Sequence, residues 1–192
     1  RILKAEASNL VKLMEEAVSN NWVDVIGSLP AVDKHPETHL SFLCHLAREY
    51  NMPIHVHVDQ NNTSEEKETE LLARQVMEWG IEGKAVAVHA ISLACHPKHY
   101  RKEVYKMAKD AGLYFIACPT AWIDSRRTEK PSPTHNSVTP VDELLEHDIK
   151  VALGSDNIHD VYKPYSTGDM GTELRFLFES THVYYQDELV KI

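Results

Sequence analysis

Hydrophobic positions along the chain switch repeatedly between helical spacing and short apolar runs. Leu3, Ala7, Leu10, Val11, Met14 and Val18 recur at helical spacing and predict a helix over residues 3–20. Trp22 to Gly27 reads as a short buried strand, stopped by the breaker cluster Gly27-Ser28-Leu29-Pro30. Pro36 is well placed in the first turn of a second helix carrying Leu40, Leu43, Cys44, Ala47 and Tyr50 on one side. Pro53 to Gln60 follows as a strand. Thr63 or Ser64 is the expected cap of a third helix, whose first turns hold Glu65, Glu66 and Glu68 and which runs to Gly80. Ala85 to His89 is a nearly all-apolar strand, residues 99–111 a helix closed by Gly112, and Leu113 to Cys118 a strand stopped by Pro119. Residues 124–138 are polar and read as an excursion over the surface. A helix capped by Thr139 runs through His147, Ile149 to Asp156 is the last strand, and residues 168–189 read as mostly helix. Apolar strands alternating with amphipathic helices predict an α/β fold with a parallel sheet, either open and doubly wound or part of a (β/α)8 barrel.

The candidate chemistry collects where these strands end. In Ile54-His55-Val56-His57-Val58 the period of two puts His55 and His57 on one face. Such a pair is either two satisfied core histidines or the start of a site for a divalent metal, which neutral imidazole binds well. His89 and Asp156 end two further strands. In parallel α/β folds the strand C-termini share one rim, so His57, His89 and Asp156 are expected to converge there. Two imidazoles and a carboxylate suit a divalent ion. Asp156 would also relay a proton. His159 and Asp160 follow on the same rim. His35, His39 and His45 are expected at the surface, and His96 and His99 in a solvated loop and helix start.

Composition narrows the classes. The chain has 192 residues, 43% hydrophobic and 26% charged, which is ordinary for one globular domain. A net charge of −9 argues against a nucleic-acid partner. No apolar run is long enough for a membrane helix. Arg1-Ile2-Leu3-Lys4-Ala5 shows no apolar signal-peptide core, and Cys44, Cys95 and Cys118 are scattered without a CxxC, so a reducing cytoplasm is expected. GxSxG, HExxH, GxGxxG, the P-loop and the HxE…PCxxC zinc signature are all missing.

Three segments, Ile54-His55-Val56-His57-Val58-Asp59-Gln60, Ala87-Val88-His89-Ala90 and Leu153-Gly154-Ser155-Asp156-Asn157-Ile158, occur in this order with Asp160-Val161-Tyr162-Lys163-Pro164 and Gly168-Asp169-Met170 downstream. Together they resemble the cytosine deaminase-like branch of the amidohydrolase superfamily, which includes N-isopropylammelide amidohydrolase-type enzymes. The resemblance implies a distorted (β/α)8 barrel with a mononuclear zinc or iron. In it His57, His89 and Asp156 would match the metal-site residues of the fifth, sixth and eighth strands, with His55 the alternative to His57. Gln60 falls where cytosine deaminase has a proton-shuttling glutamate. A glutamine cannot transfer a proton, which argues against cytosine deamination itself and leaves Gln60 a hydrogen-bonding role. The resemblance also implies contacts from Gln60, Asn157, Trp122 and Tyr162 to a small-molecule substrate. The family's first strand supplies a His-x-His pair, and no strand is read before residue 22. The whole chain, 1–192, therefore reads as a single domain, the C-terminal part of a barrel, expected to self-associate as a homo-oligomer. The function implied is hydrolysis of a C–N bond other than a peptide bond. The alternative is an inactive truncated barrel that serves only as an oligomerising α/β domain.

Overall fold

The computed structural model describes residues 2–121 and 137–184, together with 187, 190 and 192, and side chains from Asn9 onward. The polar stretch expected as a surface excursion lies almost wholly outside the described residues. The elements alternate as expected. After helix α1 (Ile2–Ser19) come strand β1 (Ile26–Ser28), α2 (Pro36–Glu49), β2 (Ile54–Val58), α3 (Glu68–Trp79), β3 (Ala85–His89), α4 (Lys98–Asp110), β4 (Tyr114–Ala117), α5 (Val141–Glu146), β5 (Val151–Leu153) and α6 (Met170–Thr181). Short 3-10 turns at Pro30–Val32 and Ile91–Cys95 complete the set.

The sheet is parallel throughout, in the order β1-β2-β3-β4-β5. Every step moves to the next neighbour in one direction. With right-handed crossovers this places all connecting helices on one face, and α2 indeed packs on α3 and α3 on α4. A doubly wound sheet needs a reversal of strand order, and there is none here, so the architecture is a section of a (β/α)8-type wall. The core lies between sheet and helices. Ile54, Val56 and Val58 of β2 point into it with Ala85 and Ala87 of β3 and Phe115 of β4, against Leu40, Leu43, Leu72, Val76, Val104 and Tyr105. The opposite sheet face carries His55, His57 and a smaller apolar group of Val88, Cys118 and Ala121, with Val86 and Ile116 beside it.

Several element ends differ from the pattern reading, each for a local reason. The first strand begins at Ile26 and not at Trp22, which is 66% exposed. Its partner β2 starts only at Ile54, and Pro53 has no N–H to donate, so residues 22–25 have no strand to pair with. β5 is three residues long, although Lys150 O and Gly154 N still bond to Phe115 and Ala117. Neither Thr63 nor Ser64 caps α3, which starts at Glu68. Thr139 does not cap α5; its buried hydroxyl donates to the carbonyl of His89. α6 ends at Thr181, where His182 takes a left-handed conformation.

Candidate metal centre

The site grows from the ends of β2, β3 and β5. In the β2–β3 register His57 lies opposite Val88, and Val58 opposite His89. The pleat turns His55 and His57 away from the helices and leaves both half-buried. Strict alternation would send His89 to the helix side with Ala85 and Ala87. Instead His89 and Ala90 take left-handed backbone conformations in succession, φ 74° and 52°. These break the alternation and swing the chain off the rim. The turn is fixed by Ala90 N–H donating to Val58 O at 3.0 Å and by the Thr139 hydroxyl on His89 O. The His89 ring thereby comes to 5.1 Å, centroid to centroid, from that of His57. Asp156 lies three residues past β5, also left-handed at φ 60°. Non-glycine residues with positive φ are uncommon, and strained backbone of this kind gathers at functional sites.

Ligand atoms of His57, His89 and Asp156 all lie within 4.8 Å of one another. Two nitrogen donors and one carboxylate oxygen suit zinc or iron, and small side-chain rotations reach the ~2.0–2.2 Å bonds such ions form. Burial pushes the His89 pKa down to about 4; the Asp156 charge opposes this and the His57 charge adds to it. Burial and then the His57 charge lower His55 as well. Neutral imidazole is the ligand form, so the environment prepares these rings for a cation. Cys118 lines the same face, where burial pushes its thiol up to about 12, and it is not in the three-ligand group.

The other residues singled out by sequence fall in different places. His55 sits two residues before His57 on the same face and is not in the three-ligand group. Gln60 is half-buried just past β2. The Asn157 amide donates to the Asp160 carboxylate and so supports the rim loop. Tyr162 is 78% exposed, with its backbone N–H on Asp160 Oδ1. Trp122 lies outside the described residues. His159 is exposed, its Nδ1 3.1 Å from Pro164 O. His96, expected in a solvated loop, is 5% exposed, with Nε2 2.8 Å from Glu66 O and its ring stacked on Tyr100. His39 is only partly exposed, against Ser28 Oγ at 2.6 Å. A second acidic group, Asp59, Glu66 and Glu68, is occupied by backbone N–H groups and Ser92 and anchors the loop that carries Gln60.

Sequence reasoning missed Thr139, Thr120 and Glu173, which hold the rim. A signal existed for Glu173. Glu173, Leu177 and Thr181 are the buried residues of α6, at i, i+4 and i+8, so a carboxylate stands on the stripe that helical spacing assigns to the core.

The sequence model of the amidohydrolase family matches residues 8–192. An uncharacterized protein of Haemophilus influenzae is 39% identical over 150 residues, covering 72% of this chain and 54% of its own length. N-isopropylammelide isopropyl amidohydrolase of Pseudomonas sp. is 30% identical over 149 residues, covering 77% of this chain and 34% of its own. The crystal structure of 5-methylcytosine deaminase from Klebsiella pneumoniae with 5-fluorocytosine superposes with a TM-score of 0.85 at 26% identity, over 95% of this chain and 45% of that one. The chain thus spans about a third to a half of the length of the proteins it matches.

Proposed function

Since the chain belongs to the amidohydrolase family, we propose that it forms part of a metal-dependent hydrolase of C–N bonds other than peptide bonds. Its substrate is a small cyclic or heterocyclic compound bearing an amine, amidine or amide. The observation that carries this reading is the convergence of His57, His89 and Asp156 at the strand ends. The relatives named for N-isopropylammelide hydrolysis and 5-methylcytosine deamination support this substrate class.

His57, His89 and Asp156 would hold the ion, zinc or iron, with His55 as the alternative to His57. A divalent cation bound there would supply Lewis acidity and lower the pKa of water toward neutrality. Asp156 accepts the proton of the attacking water and returns it to the leaving nitrogen. The water oxygen bonds to the ring carbon, the C–N bond breaks, and ammonia or an amine leaves. His89, kept neutral by burial, neither repels the cation nor competes for that proton. Gln60 donates and accepts hydrogen bonds to a ring amide and orients the substrate. Asn157, Trp122 and Tyr162 complete the substrate contacts, Asn157 through the rim loop it supports. The chain corresponds to the C-terminal part of a barrel, and a cytoplasmic location belongs to the same reading. No described helix is long and apolar enough to cross a membrane.

A second reading retains the fold without the chemistry: an inactive barrel section that acts as a homo-oligomerising domain. The partly exposed apolar residues Val86 and Ile116, beside Val88 and Cys118 on the face that carries the histidines, favour it. Elemental analysis separates the two. Protein purified without chelator or histidine tag is expected to carry about one zinc or iron per chain, lost in a His57→Ala/His89→Ala double variant. Metal-loaded protein is then expected to release ammonia or amine from a panel of aminated heterocycles. Equal, negligible metal in both proteins would leave the second reading standing.

A further inference from the structure

Thr120 lies in the turn after β4, where two charged side chains from distant parts of the chain meet. Its backbone N–H donates to Glu173 Oε2 at 3.2 Å and its hydroxyl to Glu173 Oε1 at 2.5 Å. Its carbonyl accepts from Lys163 Nζ at 2.9 Å. Glu173 is in the first turn of α6 and only 3% exposed. A carboxylate so buried is costly unless hydrogen-bonded. A leucine would serve a purely packing role at that position better. The partners on Thr120 explain why a carboxylate is there.

Lys163 belongs to the segment that joins Asp156 to α6, and this segment is fixed along its length. Asp160 Oδ1 accepts the backbone N–H groups of Tyr162 at 2.9 Å and Lys163 at 2.8 Å, while Asn157 donates to Asp160 Oδ2. Gly168, at φ +71°, packs so close to Ile158 that a Cβ there would come within 2.6 Å of Cδ1. Asp169 closes the segment by capping α6 through Gly171 N–H and the Thr172 hydroxyl. The strained backbone at Asp156 persists only where its surroundings over-determine it. The Lys163–Thr120–Glu173 chain supplies that constraint by tying the segment to the end of β4.

We infer that Lys163 and Glu173 are positioning residues. Acting through Thr120, they hold the Asp156–Asp169 segment over the strand ends and keep the Asp156 carboxylate beside His57 and His89. Its consequence for metal rests on the proposed metal site; the clamp on the segment does not.

The test is hydrogen–deuterium exchange on metal-free wild type, Lys163→Met, Glu173→Leu and Glu173→Gln, paired with cobalt titration followed by calorimetry and visible spectrum. Lys163→Met and Glu173→Leu are expected to speed exchange across residues 156–163 by about fivefold or more while β2 and β3 stay protected. Glu173→Gln retains an acceptor for the Thr120 N–H and restores most of the protection. Cobalt binding should weaken in the same order, with an altered d–d envelope that a simple loss of stability would not produce. Unchanged exchange over 156–163 in folded Lys163→Met overturns the inference, and this variant decides alone if Glu173→Leu does not fold. Wild type that binds no cobalt would overturn the metal reading and leave the exchange result to decide the clamp.

Discussion

Gly154 shows how little room the site leaves at single positions. It lies between β5 and Asp156, and a Cβ there would sit 2.9 Å from Ile116 Cγ2 and 3.2 Å from Cys118 Sγ. Both neighbours are partly or wholly buried on the site face, so they cannot move far. Gly154→Ala is expected to cost about 1–3 kcal/mol by overpacking, read as a lower urea midpoint, and to reduce metal uptake because the strain falls two residues from Asp156. His89 gives a second prediction at this scale. Its folded pKa, about 4, lies below its usual 6.5, so between these values the unfolded chain binds more protons. His89 therefore makes metal-free stability rise with pH from about 4 to about 6.5. In His89→Gln this contribution is gone, so urea midpoints measured in chelator across that range should fall with rising pH relative to those of the wild type. The residues that could bind metal were legible because imidazoles and an aspartate at strand ends form a repeated chemical pattern. Thr139 and Thr120 were not, because a threonine that props up another residue's backbone carries no spacing signature. Thr139 before Pro140 looked like a helix cap, and only the folded chain shows its hydroxyl on His89.

At the scale of elements, α3 starts where it does because of Asp59. Nothing local caps this helix: Lys67 occupies the cap position without a side-chain bond. Asp59, fully buried at the end of β2, accepts from Glu68 N–H at 2.7 Å and Thr69 N–H at 3.1 Å, and Glu68 Oε2 faces the Asp59 N–H at 3.3 Å. The exchange resembles a capping box, with its two halves nine residues apart. That separation hid it from a reading that looked for a cap at Thr63 or Ser64. Asp59→Ala should cost about 1–2 kcal/mol, as lost caps do, and more through the buried amides it exposes. The crowded pair has a pH signature. Burial, with the neighbouring Asp59, pushes Glu68 up to about 7, and burial raises Asp59 too. The folded state then binds more protons than the unfolded chain between about 4.5 and 7, so this pair makes stability fall as pH rises. Its sign opposes that of His89, and the wild type should look nearly flat in the shared window. Glu68→Gln should uncover a rise with pH in chemical denaturation; an unchanged profile would mean that the pair is not strained. Strand positions were otherwise legible, since β3 matches its apolar run residue for residue. β1 was not, because a strand's extent depends on its neighbour: Pro53 and the late start of β2 cut it short.

For the whole molecule, the strand order decides what remains uncovered. A sheet that steps in one direction places its connecting helices on one side, so among the described residues β1 and β5 stand at its edges and no connecting helix covers the site face. In the 5-methylcytosine deaminase that it matches, this chain accounts for 45% of the length, so the counterpart of this wall is joined there to further chain. Val86 and Ile116 are partly exposed on the open face beside Val88 and Cys118. Unpaired parallel edges next to apolar surface favour association. A net charge of −9 opposes it, because like-charged copies repel. The balance predicts a specific salt dependence. At low ionic strength repulsion reaches across roughly 30 Å, and at 1 M salt across only about 3 Å, while hydrophobic burial is not weakened. Light scattering coupled to gel filtration should therefore give a mass near that of one 21.9 kDa chain in dilute buffer and a larger mass as sodium chloride is raised. Association driven by ion pairs would show the reverse trend. A single-chain mass at every salt concentration would mean that the open face is covered within the chain itself, and the oligomerising reading would then lose its physical basis.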